Sequence, residues 1–119
     1  MGSFVIEKGA TGGFHFNLKA DNNEIVLTSQ HYASKQKAEE GIVSVKANAG
    51  TPERFKHHTS KDGKPYFTLV AANGETIGTS EMYASKQKAE EGCAAVAKLA
   101  ASATTLDRAY AESLQVRWA

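Results

Sequence analysis

The chain has 119 residues, with 14 basic and 13 acidic side chains and a formal net charge of +1. That length suits one domain or two small halves sharing a core, and the near-neutral balance gives no electrostatic reason to expect nucleic acid as the main partner. The single cysteine, Cys93, excludes an intrachain disulfide and a cysteine-based zinc site. No apolar run approaches the roughly 20 residues of a membrane-spanning helix. The start, Met1 to Glu7, has no basic stretch ahead of an apolar one, and Ile6 stands where a myristoylation motif needs Ser or Thr. Neither a secretory signal nor a lipid anchor is expected, and the expected compartment is the cytoplasm.

The elements come in two copies. A shift of 51 residues (55 − 4) lays 4–49 on 55–100 without a gap, and 21 of the 46 pairs are identical. Each copy opens with a short strand, Phe4–Lys8 and Phe55–Thr59. Turn residues follow: Gly9, Gly12 and Gly13 in the first copy, Asp62-Gly63-Lys64-Pro65 in the second. Next, Phe14, Phe16, Leu18 and Ala20 alternate with His15, Asn17 and Lys19, which puts one face in the core and one in water. Pro65, Phe67, Leu69 and Ala71 take the inner positions of the second copy, and Pro65 fits a strand start.

A hairpin then returns each chain. Asn73-Gly74 suits a type I′ turn, and Asn22-Asn23 is a weaker form of it. The return strands are Glu24–Ser29 and Glu75–Ser80. A two-residue loop turns Ile25 and Leu27 inward; a bulged three-residue loop turns Val26 and Thr28 inward. The second copy, with Ile77 and Thr79, favours the bulged loop.

The decamer Tyr32–Gly41 follows and recurs unchanged as Tyr83–Gly92. Ser34 and Ser85 are natural N-caps, and helices are expected to about Asn48 and Leu99. Ala38, Gly41, Ile42, Val45 and Ala49 form an apolar stripe, matched by Ala89, Gly92, Cys93, Val96 and Ala100. A helix-interior glycine costs about 1 kcal/mol against alanine. Its place on the stripe in both copies predicts close packing with no room for a Cβ. One such unit buries too little surface to stand alone. The expected fold is therefore α+β: a duplicated β-β-β-α(-β) unit making one antiparallel sheet, two helices on one face, and a pseudo-two-fold axis. The expected single domain spans 1–119, with repeats at about 4–49 and 55–100 and a tail from 101. The strand at Phe55 is expected to close the first unit while opening the second. A further step of 51 lands on Leu106, a candidate closing strand for the second unit.

The pattern Phe14-x-Phe16-x-Leu18-Lys19-Ala20, Asn22-x-Glu24, Thr28-Ser29, Tyr32-x-Ser34-Lys35 and Gly41-Ile42-x-Ser44-Val45 resembles the YegP-like family of small bacterial proteins. The second copy repeats it in order from Phe67 to Gly92. The likeness covers Phe4 to about Ala100 and departs at Cys93-Ala94-Ala95, where the family pattern has Ile-x-Ser. The resemblance implies β-β-β-α-β units, in one chain or as dimers of single units, in one sheet with the final strands exchanged. It implies no activity and assigns no catalytic residue.

Ser34, Lys35 and Lys37, with Ser85, Lys86 and Lys88, form a repeated candidate anion site, because free helix N–H groups, a hydroxyl and two ammonium groups suit a phosphate or carboxylate. The plainer reading is solvated lysines, with Lys35 paired to Glu39 and Lys86 to Glu90. His57 and His58 are strand neighbours that point to opposite faces, so no metal site is expected, and no other cofactor. Cys93 reads as a small buried hydrophobe. Tyr32 and Tyr83 precede the caps and are expected to pack onto their helices. Tyr66 and Val70, with Thr68 between them, mark a patch on the open sheet face. Tyr110, Leu114 and Trp118 are spaced i, i+4, i+8, as in a short amphipathic helix begun by Asp107; it either covers the core edge or docks a partner. The functional expectation is a small non-enzymatic binding or accessory module acting by protein interaction. The alternative is weak anion or nucleic-acid binding at the paired helix starts. A monomer is expected, with an exposed sheet edge as the route to a homodimer.

Overall fold

The computed structural model describes residues 2–9 and 12–108. Its strands are β1 (Ser3–Lys8), β2 (Phe14–Lys19), β3 (Ile25–Ser29), β4 (Phe55–Thr59), β5 (Pro65–Val70), β6 (Thr76–Thr79) and β7 (Thr104–Asp107), and its helices are α1 (Lys35–Asn48) and α2 (Lys86–Ser102). The fold is α+β, with one mixed sheet of seven strands in the order β4-β5-β6-β3-β2-β1-β7.

The alternation read in the sequence sets the faces. Phe16 and Leu18 of β2, Phe67 and Leu69 of β5, and Phe4 and Ile6 of β1 join one hydrophobic cluster. Ile42 and Val45 of α1 and Val96 and Ala100 of α2 belong to the same cluster. Packing details recur 51 residues apart. The Phe16 N–H donates to Ser29 Oγ at 2.9 Å, and the Phe67 N–H to Ser80 Oγ at 2.9 Å. Phe4 meets Phe16 edge to face at 5.9 Å, and Phe55 meets Phe67 the same way at 5.5 Å.

Both hairpins close through three-residue loops, Asp21–Asn23 and Ala72–Gly74. The Ala20 N–H donates to the Glu24 carbonyl, and the Ala71 N–H to the Glu75 carbonyl, each at 2.9 Å. Only the third loop residue has positive φ, 71° at Asn23 and 87° at Gly74, so the type I′ expectation is corrected. The Asn22 and Asn73 side chains instead accept from the N–H two residues on, at 3.0 Å each. The bulge is present, but its inward residues differ from the expectation. Leu27 lies opposite core residue Leu18, and Val26 also packs on the core. Thr28 lies opposite Asn17 on the other face. A bulge sets two consecutive residues against one, so Val26 and Leu27 share the core side.

The two copies meet where β3 pairs with β6, and Thr28 faces its own counterpart Thr79. At this seam Leu27 corresponds to Gly78. A Cβ on Gly78 would stand 2.9 Å from Leu27 Cγ, so one copy fills space that the other leaves. α2 outlasts α1 by three residues (17 against 14). Gly50 follows the first helix, whereas its counterpart Ala101 continues the second.

Two topological expectations are corrected. The sheet is not wholly antiparallel, because β7 runs parallel to β1. The strand at Phe55 does not close the first unit: β4 pairs with β5 and ends the sheet. β7 forms where the 51-residue step placed it, but against the first copy. Alternation specifies the faces of a strand, not its neighbour or direction, which depend on where the chain arrives after a helix.

Candidate functional site

The helix starts are built as the serines dictate. The Lys37 N–H donates to Ser34 Oγ, and the Lys88 N–H to Ser85 Oγ, both at 3.1 Å. The lysines are used differently in the two copies. Lys35 Nζ lies 2.9 Å from Asp107 Oδ2 of β7, an ion pair across the fold that the expected pairing with Glu39 did not include. Lys37 pairs with Glu40 at 3.6 Å and Lys88 with Glu91 at 3.7 Å. Lys86 and Ser85 instead line a cavity of about 450 Å³, with His57, His58 and Pro65. The second helix start is thus a cationic recess, whereas the first is engaged by β7.

The decamer's tyrosines explain its glycines. Tyr32 stacks on Phe16 with rings 6.3 Å apart, and Tyr83 on Phe67 at 6.0 Å. A Cβ on Gly41 would meet the Tyr32 ring and stand 2.9 Å from Phe16 Cε2. A Cβ on Gly92 would stand 2.6 Å from Tyr83 Cζ. Burial pushes both phenols above their ordinary range. A carboxylate across the seam adds to this: Glu75 at Tyr32, and Glu24 among the charges at Tyr83.

His57 lies opposite Phe67 on the core side, and its Nε2 is 4.0 Å from Cys93 Sγ. The sequence offered no sign of this pair, because 36 residues separate its members. Cys93 is half-buried, and burial with the nearby Glu90 carboxylate pushes its thiol up to about 11. A thiol so protonated is a packing group rather than a nucleophile at neutral pH. His58 faces the other way, stacks on Tyr66 at 5.1 Å and lies 3.0 Å from Thr68 Oγ1. Among the described residues no group of three His, Cys, Asp or Glu is placed to hold a metal ion.

On the face opposite the core, strand registers align one row across six strands: Val5, Asn17, Thr28, Thr79, Thr68 and Lys56. The three threonines are half-exposed. Tyr66 is half-exposed beside this row, whereas Val70 is only 8% exposed and offers little surface. At the first-copy end His15 pairs with Glu7 at 3.3 Å and meets the His31 ring at 5.5 Å. Tyr110, Leu114 and Trp118 lie outside the described residues.

The profile of a domain of unknown function, DUF1508, matches residues 10–55 and 60–107. A UPF0339 protein of Bordetella pertussis is 46% identical over 111 residues, covering 93% of this chain and 100% of its own. The UPF0339 protein YegP of Escherichia coli K12 is 45% identical over 106 residues, 89% of this chain and 96% of its own. Two solution NMR structures share the fold. E. coli yegP, described as of unknown function, has a TM-score of 0.86 at 44% identity, covering 91% of this chain and 93% of that one. A UPF0339 protein from Shewanella oneidensis has a TM-score of 0.86 at 38% identity, covering 92% of each.

Proposed function

The chain belongs to the DUF1508 family, the YegP-like proteins of unknown function, and from that premise we propose that it is a small non-enzymatic binding module acting by contact with a protein partner. The observation that carries this reading is the row of half-exposed Thr28, Thr79 and Thr68 beside the Tyr66–His58 stack. A flat surface of hydroxyls with an aromatic neighbour suits protein contact better than chemistry, which needs a cleft with converging acid–base groups. The same reading takes the chain as one cytoplasmic domain of two tandem repeats, with both helices on one sheet face about a pseudo-two-fold axis. The pairing of Thr28 with Thr79 supports it, as do the repeated serine and asparagine hydrogen bonds. The tail residues Tyr110, Leu114 and Trp118 belong to the proposed partner surface.

The test is capture from a native lysate of the host cell by the whole chain, with and without nuclease. Parallel baits carry Tyr66→Ala with Thr68→Glu, or end after Arg108, which keeps β7. A protein partner lost with the face variant or with the tail supports the reading. Nuclease-sensitive recovery abolished by Lys→Glu at 35, 37, 86 and 88 overturns it in favour of anion binding. That second reading has one observation behind it: the recess holding Lys86 and Ser85 at the start of α2.

A further inference from the structure

β1 and β4 are counterparts in the two copies and hold the same register against the next strand, with Phe4 opposite Leu18 and Phe55 opposite Leu69. The outer edge of β1 is covered by β7, which runs parallel with Thr104 level with Ser3 and Asp107 level with Ile6. The Asp107 carboxylate reaches from there to Lys35 at 2.9 Å. The outer edge of β4 carries no strand among the described residues, and β4 ends the sheet. His57 and Lys86, the counterparts of Ile6 and Lys35, line the same cavity of about 450 Å³. We infer that the edge of β4 takes an extended segment of a partner protein, parallel to β4 along 54–57, with an acidic side chain seated between His57 and Lys86.

The chemistry of the edge selects this occupant. Where β1 presents Val5 and Ile6, 3% and 0% exposed, β4 presents exposed Lys56 and His57. An apolar segment would desolvate these groups without pairing them. A second copy added antiparallel through the same edge, centred on His57, would set Lys56 against His58 and His57 against His57, with no acidic side chain among them. Arg54, the counterpart of Ser3, has its Nε buried without a hydrogen-bond partner among the described residues. An acidic strand supplies acceptors to this edge, while main-chain hydrogen bonds supply sequence-independent affinity. The inference deepens the protein-contact reading by naming the form and charge of the partner, and it rests on that reading.

The probe is a peptide with the sequence of residues 103–108, Ala-Thr-Thr-Leu-Asp-Arg, titrated into the ¹⁵N-labelled whole chain. The expected result is amide shifts concentrated at 54–59 and 84–88. Affinity should fall about fivefold for the Lys86→Glu protein, and likewise for a peptide with Asn in place of Asp. No shift at about 1 mM peptide, a weak-binding limit, overturns the inference. Shifts confined to 3–6, meaning replacement of β7, overturn it too. Shifts at Thr28, Thr68 and Thr79 without β4 overturn the edge site and leave the sheet-face reading standing. Failure of lysate capture leaves the peptide result intact, so the two failures are distinguishable.

Discussion

At the scale of single residues the fold depends on a few steric exclusions. Gly92 sits under the Tyr83 ring, where a Cβ would also stand 3.1 Å from Phe67 Cε2. Overpacking of this kind costs about 1–3 kcal/mol, against a gain of about 1 kcal/mol in helix propensity. Gly92→Ala is therefore expected to destabilise by up to about 2 kcal/mol in urea unfolding, and a stabilised variant would show that the ring yields. The sequence made a close approach legible by keeping a glycine on both apolar stripes, but not its partner: the crowding comes from a tyrosine nine residues earlier (92 − 83). Cys93 makes a pH prediction. Its folded pKa of about 11 lies above the free value of 9.0, so the folded state holds the proton more tightly. That contribution is complete below pH 9 and is lost as pH rises through 11. Urea stability should fall across that window, less steeply in Cys93→Ala, and alkylation at pH 8 should be slower than for a free cysteine.

At the scale of elements the serine caps and β7 are separable. Ser34→Ala and Ser85→Ala should each cost about 1 kcal/mol, and the effects should add because the caps share no partner. Thermal unfolding of the double variant checks this. Asp107→Asn removes the Lys35 pair, in which both side chains are about one-third exposed (32% and 33%). The expected loss is about 0.2–1 kcal/mol. It should be read most clearly as faster amide exchange in β7 and the outer half of β1, with little change in β5 and β6. The helices and the Phe14–Lys19 strand were legible from periodicity alone. The hairpin register was not, because a bulge places Val26 and Leu27 on one side and breaks the alternation that a reading of period two relies on.

At the scale of the whole molecule β7 joins the end of the second copy to the start of the first. Ending the chain after Ser102 is expected to uncover Val5 and Ile6 on the edge of β1 and lower the melting temperature by about 5–10 °C. The same truncation should raise self-association, since β1 would then present an apolar edge. Light scattering and a thermal scan on the two lengths check both outcomes. The opposite end needs no such cover, because Lys56, His57 and His58 keep β4 wet.

What the sequence determined by itself was the local code: two copies 51 residues apart, their strands, their capped helices and the family they belong to. Alternation, caps and repetition are written in neighbouring residues, so they survive reading along a line. Tertiary structure alone decided that β7 crosses to β1 in parallel, that Asp107 takes Lys35 while Lys86 faces a recess, and that His57 comes to Cys93. These contacts join residues tens of positions apart, and nothing local encodes them. Two identical decamers thus acquire different surroundings because the sheet has two ends and, among the described residues, the closing strand β7 covers the β1 end.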